Sequence, residues 1–166
     1  MMYKFKLKPK CLEKIKATRQ NPKWESDVVI RIANDKQKAK EEDTNDRSYI
    51  KVYTDSSGMD RQIGAAAVLY RNEVLKRKRR MRLGSARHHM VFKGEGVGLI
   101  LGIELIREEE LADRMVSIGI DNVAVISATL VIKPSPSHYI WDIFHKRVAM
   151  ACKKHKGMDL LVKWTL

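Results

Sequence analysis

KGEGVGLILG, residues 93–102, sets three alternating glycines ahead of an apolar run, with one carboxylate, Glu95, among them. Two structures compete for such a stretch: a phosphate-cradling turn, or a helix whose glycines serve packing. A dinucleotide-binding turn or a P-loop needs a strand immediately before its glycines, and a P-loop also needs Lys-Ser/Thr after the last one. Here the SARHHM segment precedes the glycines, and Leu99 and Ile100 follow them. Gly94, Gly98 and Gly102 recur every four residues, one face of a helix, and Val91, Leu99, Ile103 and Ile106 extend the same periodicity. Each glycine costs a helix about 1 kcal/mol relative to alanine, so a close approach to a neighbouring sheet must compensate. The stretch is predicted to be a helix that delivers Glu95.

Strand signals lie on both sides of it. YIKVYTD alternates and is rich in β-branched and aromatic residues, giving a strand that ends at Asp55. SSGMDRQ is turn material, IGAAAVLYR a second strand, NE (72–73) a further turn, and VLKRKRRMRLG a third strand closed by Gly84. These three form an antiparallel meander. Beyond the helix, RMVSIGID is a buried fourth strand ending in Asp121, and NVAVISATLVI a short helix. KPSPS breaks the chain before HYIWDIFHKRVAMACKKHK, an amphipathic helix with Ile140, Phe144 and Val148 on one stripe, and GMDLLVKWTL is the fifth strand. The order predicts an α/β fold with a mixed five-stranded sheet, three strands antiparallel and two parallel, flanked by helices.

Residues 1–47 differ in character and are expected to form a basic N-terminal extension and linker to a domain spanning 48–166. The extension is assigned a short helix or two at about 10–20, a turn at NPKW, and a linker at NDKQKAKEEDTNDRS. Trp24 and VVIRI (28–32) are apolar enough to dock on the main domain.

Of the 166 residues, 33 are Lys or Arg and 20 are Asp or Glu, a net charge of +13. Such a balance favours polyanionic partners, nucleic acid above all. The chain has no apolar run of about 18 residues for a membrane span and no secretory h-region. Cys11 and Cys152 share no motif spacing, which suits a reducing compartment. An intracellular protein of the nucleus or cytoplasm, with no membrane partner, is expected. The histidines stand at no metal-ligand spacing, which argues against zinc.

Three acids occupy special places. Asp55 and Asp121 end two strands that, if adjacent and parallel, bring both carboxylates to one sheet edge, and Glu95 rides the helix between them. Each follows apolar sequence, where an unpaired carboxylate is unfavourable. Acid-only ligand sets favour Mg²⁺ or Mn²⁺. Singly, an Asx turn at Asp55, a helix cap at Asp121 and a surface position for Glu95 remain alternatives. KRKRRMR (76–82), with Lys76, Arg77, Lys78, Arg79, Arg80 and Arg82, reads as a basic strand tracking a phosphate backbone. A nuclear-localisation signal or a solvated edge strand are the other readings.

YTDSSG (53–58), VFKGEGVGLILGI (91–103) and IGIDNVAVI (118–126) together resemble the three consecutive motifs of type 1 ribonuclease H domains, most closely those of retroelement reverse transcriptases. The likeness runs from about Tyr49 to Trp164 and includes GAAAVLY in the second strand and RLG closing the third. Transposase and integrase relatives place their glutamate after the fourth strand, whereas Glu95 lies between the two aspartates. The resemblance implies that Asp55, Glu95 and Asp121 hold two Mg²⁺ ions and cut the RNA strand of an RNA–DNA hybrid, leaving 3′-hydroxyl and 5′-phosphate ends. It also implies that Ser56, Ser57 and Gly58 meet phosphate or 2′-hydroxyls, and that Asn122 touches the substrate backbone, with helix capping its equal alternative. The pattern departs at the end. Trp164 matches the tryptophan of the family's last strand, but the Pro-Gly-His loop, the fourth aspartate and the final helix are absent before Leu166. That loss implies weakened metal binding. It leaves two readings, a hybrid-cleaving nuclease and a catalytically weakened or dead nucleic-acid-binding module, with a second chain or dimer partner as a source of the missing part.

Overall fold

The computed structural model describes residues 24–87, 90–131, 133–135 and 137–166. The helix expected at about 10–20, most of the NPKW turn, and His88 and His89 lie outside the described residues. In chain order the elements are β1 (Val28–Arg31), α1 (Lys36–Thr44), β2 (Ile50–Met59), β3 (Gln62–Arg71), β4 (Val74–Ser85), α2 (Val91–Glu108), β5 (Met115–Ile120), α3 (Val123–Ala128), α4 (His138–Lys154) and β6 (Asp159–Trp164). They build one six-stranded sheet in the order β1-β6-β5-β2-β3-β4. The β2–β3–β4 meander is antiparallel, and β2–β5, β5–β6 and β6–β1 are parallel pairs.

The mixed sheet agrees with the sequence reading, with one strand more than the five expected. VVIRI docks by pairing with β6 from Val28↔Leu160 to Arg31↔Lys163. Its β-branched residues suit a strand, and it covers what would otherwise be an open edge on β6. The polar run after it, expected to be a linker, forms α1, with the Asp35 carboxylate accepting from Lys38 N at 2.8 Å as N-cap. Only Ala39 of α1 is buried, so hydrophobic periodicity could not announce it. Polar contacts hold it instead. Tyr53 Oη donates to Asp43 at 3.0 Å and Ser117 Oγ to Asp46 at 2.5 Å, while Lys163 Nζ lies 2.8 Å from Asp43 and 2.6 Å from Asp46.

β2 is longer than expected. SSGM continues the strand, and the reversal is confined to Asp60 and Arg61, both at positive φ (51° and 59°) as a two-residue hairpin of mirror-image type requires. Asn72 and Glu73 do the same between β3 and β4.

The core lies between the sheet and the helices α2 and α4, where Val52, Leu69, Ile118 and Val162 meet Leu99, Ile103, Phe144 and Val148. The four-residue glycine period of α2 faces β2. A Cβ at Gly98 would come within 3.3 Å of Thr54 Cβ, and one at Gly102 within 3.1 Å of Val52 Cγ1. Among the described residues no helix is long and apolar enough to cross a membrane.

Candidate active site

Parallel pairing of β2 with β5 runs from Ile50↔Val116 to Thr54↔Ile120 and then stops. Asp55 and Asp121 are the next residues along each chain, so both acids stand where the β2–β5 pairing ends. Asp55 is therefore not the last residue of β2. It is the point at which β2 loses its β5 neighbour while remaining paired to Ala66 of β3. Two backbone contacts pin the β5 end: Trp164 Nε1 donates to the Asp121 carbonyl at 3.1 Å, and Thr165 N to the Ile120 carbonyl at 2.9 Å.

Glu95, one turn into α2, is only 3% exposed. Its Oε1 accepts from Ser56 N at 3.2 Å and from Ser56 Oγ at 2.6 Å, and its Oε2 is buried with no hydrogen-bond partner among the described residues. Burial pushes the Glu95 carboxyl above its ordinary range; the Ser56 hydroxyl opposes this, and the charges of Asp121 and Asp55 add to the upward push. Glu95 thus feels the charge of both aspartates. The three acids do not form a finished cage: among the described residues no three His, Cys, Asp or Glu side chains are grouped so as to hold a metal ion. The strand pleat explains this. Val52 and Thr54 meet the α2 glycines and Ser56 meets Glu95, whereas the intervening Asp55 lies on the opposite face, exposed.

The remaining predicted residues separate by the same alternation. Ser56 is committed to Glu95, while Ser57, on the Asp55 face, lines a groove of about 330 Å³ with Asp55, Gly64, Ala65, Ala66, Arg80, Met81 and Arg82. Gly58 lies beside Ile63 and Val91. Asn122 Oδ1 accepts from Val125 N at 3.2 Å and caps α3. Along β4, Lys78, Arg80 and Arg82 pair in register with Val68, Ala66 and Gly64, on the Asp55 side. Arg77 and Arg79 pair with Leu69 and Ala67 on the α2 side, where acids at the end of α2 hold them: Arg77 Nε lies 2.7 Å from Glu109, and Arg79 bonds Glu108. Lys76 falls at the register shift between Leu69 and Tyr70. The sequence reading missed the cluster of Asp43, Asp46, Tyr53, Ser117 and Lys163, which ties α1 and the residues after it to β2, β5 and β6. Its one signal was a lysine inside LLVKW, because a cation in a buried strand requires a counter-charge.

No protein-family model and no curated protein matches the sequence. Solved structures do match the fold. The N-terminal ribonuclease H domain of a Mycobacterium tuberculosis protein superposes with a TM-score of 0.56 at 12% identity, over 70% of this chain and 86% of that one. LC11 ribonuclease H1, isolated from compost and solved with an RNA/DNA hybrid, gives 0.53 at 15% identity, over 69% and 83%. The protease–reverse transcriptase of prototype foamy virus gives 0.54 at 14% identity, over 71% of this chain and 17% of that much longer one. A likeness at such low identity is one of backbone architecture, and that architecture is the ribonuclease H fold.

Proposed function

We propose that the chain is a nuclease that hydrolyses the RNA strand of RNA–DNA hybrids, with Asp55, Glu95 and Asp121 as its acidic site. The observation that carries this is the placing of two aspartates at the point where the β2–β5 pairing ends, beside a buried glutamate that has one oxygen without a hydrogen-bond partner among the described residues. The donor set fits hard divalent ions: all its oxygens are carboxylate oxygens, the charges of Asp121 and Asp55 bear on Glu95, and Glu95 Oε2 has no hydrogen-bond partner among the described residues. Asp55, Glu95 and Asp121 would hold Mg²⁺, or Mn²⁺ in its place. Such ions, when bound, polarise the phosphate and make water nucleophilic at neutral pH, leaving 3′-hydroxyl and 5′-phosphate ends.

The chain's own residues prepare the site. Ser56 fixes the rotamer of Glu95, and Trp164 holds the backbone from which Asp121 projects. Ser57 stands on the Asp55 face, where a hydroxyl can meet phosphate or the 2′-hydroxyl that distinguishes RNA from DNA. Lys78, Arg80 and Arg82 give that face its positive charge. The bound hybrid of LC11 ribonuclease H1 supports the substrate class.

A catalytically weakened or dead nucleic-acid-binding module is the second reading, favoured by the absence of a three-acid cage among the described residues. One assay separates the two. Pure protein is incubated with a labelled RNA–DNA hybrid and Mg²⁺ or Mn²⁺, beside Asp55→Asn. Metal-dependent cutting lost in the variant supports the nuclease, binding without cutting supports the module, and neither activity removes both.

A further inference from the structure

Beside Asp55, on the sheet face turned away from α2, two cross-strand rows run in register: Asp55↔Ala66↔Arg80 and Ser57↔Gly64↔Arg82. Each row spans two strand spacings, about 10 Å, and together they frame the groove already described. We propose that this groove is a subsite for a backbone phosphate of the strand being cut, flanking the scissile one, with Arg80 and Arg82 as its cationic wall; the proposal rests on the hybrid-nuclease reading.

Three features point to a phosphodiester. First, the basic residues of β4 are not equivalent. Arg77 and Arg79 are paired with Glu109 and Glu108, whereas among the described residues no carboxylate forms an ion pair with Arg80 or Arg82. A guanidinium without a counter-ion keeps its planar fork of donors free, the geometry that matches phosphate oxygens. Secondly, the floor is bare. Gly64 and Ala66 are the residues between the wall and Asp55, so a sugar–phosphate backbone can lie on the sheet. A Cβ at Gly64 would meet nothing nearer than Ser57 Oγ at 3.5 Å and the Met81 carbonyl at 3.7 Å, ordinary contacts. The chain's own packing therefore does not require glycine there. Thirdly, the polarity is right. A cationic wall holds one phosphate, while the acidic wall at Asp55 repels any phosphate not bridged by a divalent ion. The strand is thereby registered so that its next phosphate meets the acids.

The test is equilibrium binding of a labelled RNA–DNA hybrid to the full chain across a salt series in EDTA, with cleavage measured separately in Mg²⁺. Arg80→Ala/Arg82→Ala is expected to weaken binding at least tenfold, uniformly across sequences, and to reduce the slope of log K against log[salt] by about 2. Lys153→Ala/Lys156→Ala, the same charge change at the C-terminal end of α4, is expected to shift binding less than twofold. Gly64→Ala raises the floor by one Cβ, with no contact nearer than 3.5 Å, without removing charge, and is expected to weaken binding with little change in melting temperature. Arginine and glycine variants that bind and cut like wild type, while wild type cuts the hybrid, overturn the subsite alone. A wild-type chain that neither binds nor cuts the hybrid overturns the nuclease reading and the subsite with it.

Discussion

Ser56 holds one oxygen of Glu95 twice, through its backbone N–H at 3.2 Å and its hydroxyl at 2.6 Å, and leaves the other oxygen bare. The hydroxyl is the main force that keeps this buried carboxyl from rising further out of its ordinary range, against burial, Asp121 and Asp55. Ser56→Ala removes the hydroxyl and keeps the N–H. A hydrogen bond to a charged group favours its ionised form, so its loss lets the carboxyl rise further. If ionised Glu95 is the active form, the acid limb of the pH–rate profile for hybrid cleavage moves to higher pH in Ser56→Ala. An unmoved limb shows that Glu95 does not govern it.

The same carboxyl lowers stability at neutral pH. Its folded-state pKa is raised, so its favourable contribution is complete below the ordinary glutamate range and is lost as pH rises through the folded value. Glu95→Gln keeps a hydrogen-bonding oxygen for Ser56 and removes the charge. Its melting temperature is expected to exceed that of wild type by a few degrees at pH 7, with the gain vanishing near pH 4. Cleavage is expected to be lost, together with the rise in melting temperature expected of wild type in Mg²⁺, which would bind the folded state. Equal melting temperatures at pH 7 contradict the assigned burial of a charged Glu95.

The elements that build this site were readable because their patterns are hydrophobic. Alternation in YIKVYTD placed β2, the buried apolar run of RMVSIGID placed β5, and the glycine period of α2 anticipated its contact with Thr54 and Val52. What escaped the sequence is polar. SSG reads as a turn, yet Ser56 and Ser57 pair with Ala65 and Gly64 as strand residues, because the antiparallel partner supplies the hydrogen bonds whatever the side chain. In KRKRRMR almost every position is basic, so the pleat that sends Arg79 to Glu108 and Arg80 to the Asp55 groove leaves no mark on the composition. Helix α1 has one buried residue and is held by charges whose partner, Lys163, lies more than a hundred residues away.

That helix supplies the third prediction. Burial alone would raise the Asp46 carboxyl, but Lys163, Ser117 and Ser48 outweigh it and hold it well below the usual carboxylate range. Its contribution to stability is therefore present above the ordinary aspartate pKa and is lost as pH falls through the lower folded value. Asp46→Asn leaves the buried Lys163 with Asp43 as its one carboxylate. Leaving a buried charge with no partner costs about 3 kcal/mol at neutral pH; with Asp43 still 2.8 Å from Lys163, chemical denaturation at pH 7 should show a smaller loss. At pH 3 and below the difference from wild type should narrow. A pH-independent difference assigns the effect to packing rather than charge.

The glycines of α2 give a graded test of how tightly the helix bearing Glu95 is pressed on the sheet. Alanine gains about 1 kcal/mol of helix propensity over glycine, and overpacking a close contact loses 1–3 kcal/mol, so the local gap decides the sign. At Gly98 a Cβ would stand 3.3 Å from Thr54 Cβ and 3.4 Å from the Ala66 carbonyl, a squeeze of a few tenths of an ångström. At Gly94 it would stand 2.7 Å from Ser56 Cβ, 3.1 Å from Ile63 Cγ2 and 3.2 Å from the Gly64 carbonyl, with backbone among the neighbours. Gly98→Ala is accordingly expected to be near neutral in thermal denaturation, and Gly94→Ala to lose at least 1 kcal/mol. Gly94→Ala should also lower cleavage more than its stability loss explains, because the residue it displaces is the one that orients Glu95. The reverse order of stabilities would place the helix–sheet contact further along α2, away from Ser56, and detach the glycine period from the site.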